Sequence, residues 1–295
     1  MAEQEQREIV VEIGPFKEWQ NGNTLTGMRI VSNGDLNTMK IRVHVEKSYI
    51  SVPNHSRIQI WNLSHETRKR LTTGGLFVKV YAGTQNGNKE LLFTGAIAAC
   101  ITQRSGTDII TTLVCQTREA TMLRTIVSKS WEKDVPVDTV VHEIVNMIPN
   151  VIYNPQNHKI EGKIGYKGFS VFGGAQFALD KLAKQFGFSW NIDNSVFNAV
   201  MDGKPKSSGI LLDKRSGLRS VSPRLSGFDQ IQEGVDVIAL YRQNVITGHT
   251  IRIESDVSPE LSGNYVCHTI EYDLCPKEST WDMNIHFFVL VGAEQ

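Results

Sequence analysis

Two blocks of short, β-branched runs, each broken by Gly, Asn or Asp, stand at the ends of this chain and enclose a stretch whose apolar residues recur at helical spacing. That arrangement constrains the fold more than any single motif. Period 2 puts alternate side chains on opposite faces of a strand, whereas period 3.6 builds one apolar stripe on a helix. In the first block, residues 8–14 (EIVVEIG), 25–31 (LTGMRIV) and 39–45 (MKIRVHV) read as antiparallel strands. RIQIWNLS then alternates Ile58 and Ile60, and Ser64 is placed to cap a short helix over HETRKRL, ended by Gly74 and Gly75. LFVKVYAG, ELLFTGAIAACITQ and DIITTLVCQT, separated by turns at 85–88 and around Ser105 and Gly106, form a meander that ends near Thr117.

The character then changes. REATMLRTIVSKS (118–130) and PVDTVVHEIVNMI (136–148) set Met122, Leu123 and Ile126, then Val137, Val140, Val141, Ile144 and Val145, at helical spacing. Pro136 and Asp138 suit a helix start and Pro149 its end. After a polar loop over 154–163, the sequence predicts a helix over 175–186 and two strands about a turn at Asp193 and Asn194. DGKPKSSG (202–209) reads as a flexible boundary, beyond which strands return in GLRSVSPRLSG, GVDVIALYRQ, GHTIRIES, GNYVCHTIEYDL and TWDMNIHFFVLV. The expected fold class is mainly β with an α+β middle: a β domain over 1–118, a small α+β domain over 119–204 and a second β domain over 205–295. The flanks are similar in size, but no repeat is legible between them.

A chain of 295 residues, 40% of them hydrophobic, can bury a substantial core. Its 31 Lys and Arg equal its 31 Asp and Glu, so no global field would hold it on duplex DNA or an anionic membrane. The start, MAEQEQREIVVEIG, lacks the basic and apolar stretches of a signal peptide, and synthesis in the cytoplasm is expected. No window approaches the roughly 20 apolar residues that span a bilayer. Cys100, Cys115, Cys267 and Cys275 form no C-x-x-C pair and read as buried free thiols.

Motifs for chemistry begin and fail. His142-Glu143 opens a zinc-protease helix, but position 146 is Asn, and His44, His55, His65, His158, His249, His268 and His286 stand singly. There is no G-x-S-x-G elbow and no P-loop, and Gly173-Gly174 lacks the spacing of a dinucleotide fingerprint. Cys267 and His268 are neighbours on a strand, so they point to opposite faces. Asp180 with Glu161, or Glu254 with Asp256, have the types of a glycosidase pair without any sequence warrant for its separation. Arg215, Arg219 and Arg224 form the densest basic cluster, which reads as an exposed loop edge before it reads as a DNA or acidic-partner contact. Trp19, Trp61, Trp131, Trp190 and Trp281 fall at or near strands, where packing is their expected work. No catalytic residue, cofactor or metal is expected.

The segment IQIWNLSHETRKRL, followed by a strand ending YAG, then LLFTGAI and a hairpin through RSGTDIITTLVC, resembles the central baseplate hub proteins of contractile-tailed bacteriophages, the tail hubs of the late control protein D-like family. Their strand-to-helix pattern is matched by Ile58, Ile60, Asn62, Leu63, Ser64, Thr67 and Arg68. GHTIRIES, LSGNYVCHTIEYDL and TWDMNIHFFVL are similar to the family's closing strands, so the resemblance covers roughly 57–118 and 205–290.

The resemblance implies a structural, non-enzymatic virion protein assembled in the host cytoplasm. It would be a homotrimer in which each chain supplies two tube-like antiparallel β-barrel domains to a pseudo-hexameric ring. The implied partners are the hexameric tail tube or its initiator, a trimeric central spike and other baseplate proteins. DNA would pass only transiently through the lumen, with no integral membrane contact. The competing readings are a distal tube-initiator ring, the spike hub of a related secretion machine, a peptidoglycan-degrading tail enzyme and a carbohydrate- or receptor-binding β-module.

Overall fold

The structure is a computed structural model and describes residues 6–15, 27–117, 125–154, 160–226 and 231–289. The first block forms β1 (Arg7–Pro15), β2 (Met28–Asn33), β3 (Ile41–Ser48), β4 (His55–Trp61), α1 (His65–Leu71), β5 (Leu76–Thr84), β6 (Lys89–Ser105) and β7 (Asp108–Gln116). The middle forms β8 (Ile126–Trp131), α2 (Val137–Met147), β9 (Ile152–Tyr153), β10 (Phe169–Gly174), α3 (Ala175–Phe186), β11 (Phe188–Asp193) and β12 (Val196–Met201). The last block forms β13 (Lys206–Leu212), β14 (Leu218–Ser226), β15 (Ile231–Leu240), β16 (His249–Ile253), a 3-10 turn over Pro259–Leu261, β17 (Gly263–Leu274) and β18 (Trp281–Val289).

Alternation does what the pattern demanded. On β3, Ile41, Val43 and Val45 are buried while Arg42, His44 and Glu46 face away, and Ile58 and Ile60 of β4 are buried opposite them. On α1, the Ser64 side chain accepts the Thr67 amide at 3.1 Å, satisfying one of the free N–H groups of the first turn. On α3, Gly187 takes a left-handed φ of 66° and returns its N–H to the Ala183 carbonyl, which stops the helix at the predicted residue.

The flanks do not form separate sheets. Thirteen strands make one sheet, with the order β14-β15-β18-β17-β3-β4-β7-β6-β5-β1-β2 and with β16 joined to β17 and β13 to β16. β17 is the splice. Its first residues pair with β16, its last six pair with β3, and β18 runs along its other side. A register shift between Cys267 and Thr269 leaves His268 as an extra residue where the partner changes, and such a bulge bends a strand. No ladder joins β2 to β3 or β13 to β14 among the described residues, so neither flank closes into the barrel that was expected. One core runs under the whole sheet, from Ile9 to Phe287.

The middle unit has its own core, from Val127 to Ala199, under α2 and α3, a β8-β10 ribbon and a β11-β12-β9 sheet. Two expectations need correction. The helical pattern read over 118–130 lies outside the described residues up to 124, and from Ile126 it is β8, with Val127 and Trp131 buried and Ile126 exposed. The antiparallel ladder to β10 outweighs a weak period in a segment rich in β-branched residues and serine. The boundary read at 202–209 is partly strand, because β13 starts at Lys206 and pairs in parallel with β16.

Candidate functional site

The matched residues build a corner. After β4, Asn62 turns left-handed at φ 57°, a conformation that asparagine tolerates. Its side chain accepts the Ile109 amide at 2.9 Å and donates to Asp108 at 2.9 Å, so it clasps the turn of the β6–β7 hairpin. Ile58, Ile60 and Leu63 are buried in the shared core, and Ser64 with Thr67 caps α1. The Arg68 Nε is buried without a hydrogen-bond partner among the described residues.

The side chains with chemical promise are held in structural contacts. Glu143 accepts from Lys129 at 2.8 Å and from the Trp131 indole at 2.6 Å, and these bonds hold its carboxyl below the usual range. His142 contacts Asn146 and lies over Tyr153. Asp180 accepts from Trp190 at 3.0 Å, while Glu161 pairs with Lys204 at 2.7 Å and Glu254 with Arg252 at 2.8 Å. Burial pushes the Cys115 thiol up to about 12 and raises Cys267 as well, the opposite of nucleophile activation. Among the described residues, no three His, Cys, Asp or Glu side chains are grouped to hold a metal.

What the fold does build is a broad polar face on the side of the sheet away from the core. Register places Asp236 beside His286, and lines up Asn284, Glu271, Glu46, His55 and Gln116 across five strands. A second row runs through Asp282, Asp273, His44 and Arg57. Glu46 opposite Glu271 and Asp273 opposite Asp282 would repel if nothing answered them. Arg42 grips Asp273 through two bonds of 2.9 and 2.6 Å, a contact that raises the arginine's pKa. Arg219 meets Asp282 at 2.9 Å and Arg224 meets Asp236 at 3.6 Å, while His286 lies between Asp236 at 2.7 Å and Glu271 at 3.7 Å. Two of the three arginines of the basic cluster are thus neutralised within the face, and Arg215 reaches the Asp213 carboxylate through its backbone. Sequence reasoning missed this face because its rows join residues more than 200 positions apart.

Two further features belong to the surface. The turn of the β11–β12 hairpin fastens the middle unit to the sheet: Asp193 takes Lys47 at 2.8 Å and Asn54 at 3.1 Å, Asn194 donates to the Leu91 carbonyl at 2.9 Å, and Asn191 donates to that of Ser48. β7 is paired with β4 on one side and with β6 on the other, and beyond Ala96 the far edge of β6 has no ladder partner among the described residues. β5 pairs with β6 only as far as Ala96, and beyond it Ala98, Ala99 and Ile101 are exposed. Neither strand carries a charge over 91–103 and 109–117.

The family model described as Baseplate hub gp41 matches residues 26–286. No curated protein sequence matches the chain. Among solved structures, a tail protein from Neisseria meningitidis MC58 aligns with a TM-score of 0.64 at 8% identity, covering 95% of this chain and 96% of that one. The 43 kDa tail protein of prophage MuSo2 from Shewanella oneidensis aligns at 0.64 and 10% identity, covering 96% of each. The E. coli c3393 protein, a type VI secretion component described as structurally similar to the T4 tail proteins gp27 and gp5, aligns at 0.54 and 12% identity over 88% of this chain and 76% of that one. At such identities the likeness is one of fold.

Proposed function

The chain belongs to the baseplate hub gp41 family, and from that premise we propose that it is the central hub of a contractile tail baseplate, a structural virion protein that works as a homotrimer. In this reading, tube-like units over 1–118 and 205–295 enclose an inserted unit over 119–204. Three chains present six tube-like units to the tail tube or its initiator, and hold a trimeric spike on the opposite side. The protein assembles in the host cytoplasm, and no helix among the described residues is long and apolar enough to cross a membrane.

The observation that carries the reading is the β17 splice, which makes two β-rich flanks into one wall with a polar face continuous across the join. A wall of this kind suits a channel for DNA, because its acids and bases are largely paired with one another and offer few free cations to hold phosphate. Free sheet edges in a single chain also favour assembly, since an uncovered edge invites pairing. In the same reading Ile58, Ile60, Asn62, Leu63, Ser64, Thr67 and Arg68 are scaffold, fixing the β6–β7 hairpin to the α1 corner.

Light scattering on the purified chain, alone and with the adjacent spike protein, tests this. For the chain alone a mass near three times 33.0 kDa is expected, or, where trimerisation needs the spike, a complex that holds three copies of the chain. A mass near six chains would transfer the chain to a tube-initiator ring, and a monomer in both conditions would sink the trimeric hub.

A further inference from the structure

We propose that the Asn86–Gly87 pair, in the turn between β5 and β6, is a site of spontaneous deamidation, and that its conversion loosens a contact between the first and last blocks of the chain. An asparagine side chain followed by glycine can react with the next backbone nitrogen, because glycine brings no Cβ to crowd the approach and leaves the backbone free to turn. Two such pairs lie among the described residues, and the fold treats them differently. Asn33–Gly34 is clamped. Asn33 is 5% exposed, its Oδ1 accepts the Asp35 amide at 2.9 Å and the Thr38 hydroxyl at 3.0 Å, and its Nδ2 donates to Glu8 at 3.4 Å. Asn86 and Gly87 are both exposed, and no described residue holds the Asn86 carboxamide.

The reacting nitrogen is loosely held as well. The Gly87 N–H reaches the Thr84 carbonyl at 3.3 Å, beyond the usual span of about 2.7–3.2 Å, so little energy frees the turn. The Thr84 hydroxyl occupies the place of a Cβ at position 87, which keeps a larger residue from shielding that nitrogen. In the reaction the Gly87 nitrogen gives its proton to solvent and bonds to the Asn86 Cγ. The Cγ–Nδ2 bond breaks and ammonia leaves with a proton from solvent. Water then opens the cyclic imide at either carbonyl, giving aspartate, or isoaspartate with one more carbon in the main chain. Water is the only co-reactant. The added carbon falls where the last block reaches the first: Gln243 donates to the Asn88 carbonyl at 2.9 Å and to that of Ala82 at 3.3 Å. The Asn88 carbonyl also fills the place of a Cβ at Gly83, so the turn has no slack on that side to absorb a longer backbone.

The test incubates the full chain in heavy-oxygen water at mildly alkaline pH, once native and once unfolded in urea, and maps its peptides by mass, since each conversion takes up one heavy oxygen. Asn86 is expected to convert in the native chain at close to its rate in urea. Asn33 is expected to convert at least about tenfold more slowly than in urea, because its reaction waits for local opening. An Asn86 that stays intact in the native chain while it converts in urea would overturn the site. Asn86→Gln, whose longer side chain closes the larger ring far more slowly, is expected to lose the label in that peptide and to melt like fresh wild type. The aged wild type is expected to melt about 2–4 °C lower than the fresh, the shift that one lost hydrogen bond produces in a chain of this size. The aged variant should keep its melting temperature. Asn21–Gly22 and Asn33–Gly34 remain in that variant, so an equal fall in both proteins would place the damage elsewhere, and a converted wild type with an unchanged melt would overturn the loosening.

Discussion

The middle unit and the flanks bury their apolar residues in different ways. The middle keeps a core whose members all fall between Val127 and Ala199, so its contacts form between sequence neighbours. The flanks share a core that includes both Ile9 and Phe287, with the middle unit inserted between its halves. Local contacts close short loops and can stand alone, whereas a shared core needs both ends of the chain before any of its burial is realised. The comparison teaches that an inserted domain can be the more autonomous part of a protein, and that a pair of terminal domains can be one folding unit.

The largest effect should come from separating the parts. Residues 125–204 expressed alone are expected to melt cooperatively by circular dichroism, while residues 1–117 alone show no cooperative transition, because Val43 and Val45 lose Leu274 and Tyr272 across the β3–β17 ladder. A cooperatively folded 1–117 fragment would break the comparison. Next come core truncations in the full chain, where Phe287→Ala and Leu179→Ala each remove a fully buried side chain. Each is expected to cost about 2–5 kcal/mol, the first in the denaturant transition of the sheet and the second in that of the middle unit. Equal shifts of both transitions would mean that the two cores are one.

Smaller again is the join between them. Asp193→Ala leaves Lys47, whose side chain is 11% exposed, without its carboxylate. We expect a loss of about 2–3 kcal/mol, seen chiefly as a wider separation of the two transitions, since removing one partner of a partly buried pair strands the other charge. If the transitions stay as close as in the wild type, the hairpin turn is not the fastening. The smallest effect concerns pH at the splice. Burial, helped by the nearby Arg224 and His286, lowers the pKa of His268 below its ordinary 6.5. The unfolded chain therefore binds the proton more readily than the folded one. The stability this withholds is fully present above pH 6.5 and declines as the pH falls below it. His268→Phe is expected to flatten that decline in melts between pH 7 and 5, and an unchanged slope would remove His268 from the account.

Much of the secondary structure was legible. Ser64 before HETRKRL, Gly187 after Phe186 and the Asp193–Asn194 turn all sit where local chemistry alone puts a cap or a turn. The failures fall where local signals were weak and pairing was distant: Ile126 joined a strand once β10 lay beside it, and Lys206 did so once β16 did. Of the candidate surface, the uncharged hairpin could be read along the chain. The polar face could not, since no local pattern says that Glu271 will lie beside Glu46 or that Arg42 will reach Asp273.

By itself, then, the sequence determined which residues face the core, where helices and turns begin, and that no nucleophile or metal motif is complete. Those properties depend on side-chain period and on the bonding of each residue to its near neighbours. Only the tertiary structure decided that the two flanks make one sheet, that no ladder closes it among the described residues, and that charges from both ends of the chain neutralise one another on its outer face. Strand pairing is a choice among edges that local sequence leaves nearly equivalent, and β17 passes from β16 to β3 at the bulge around His268.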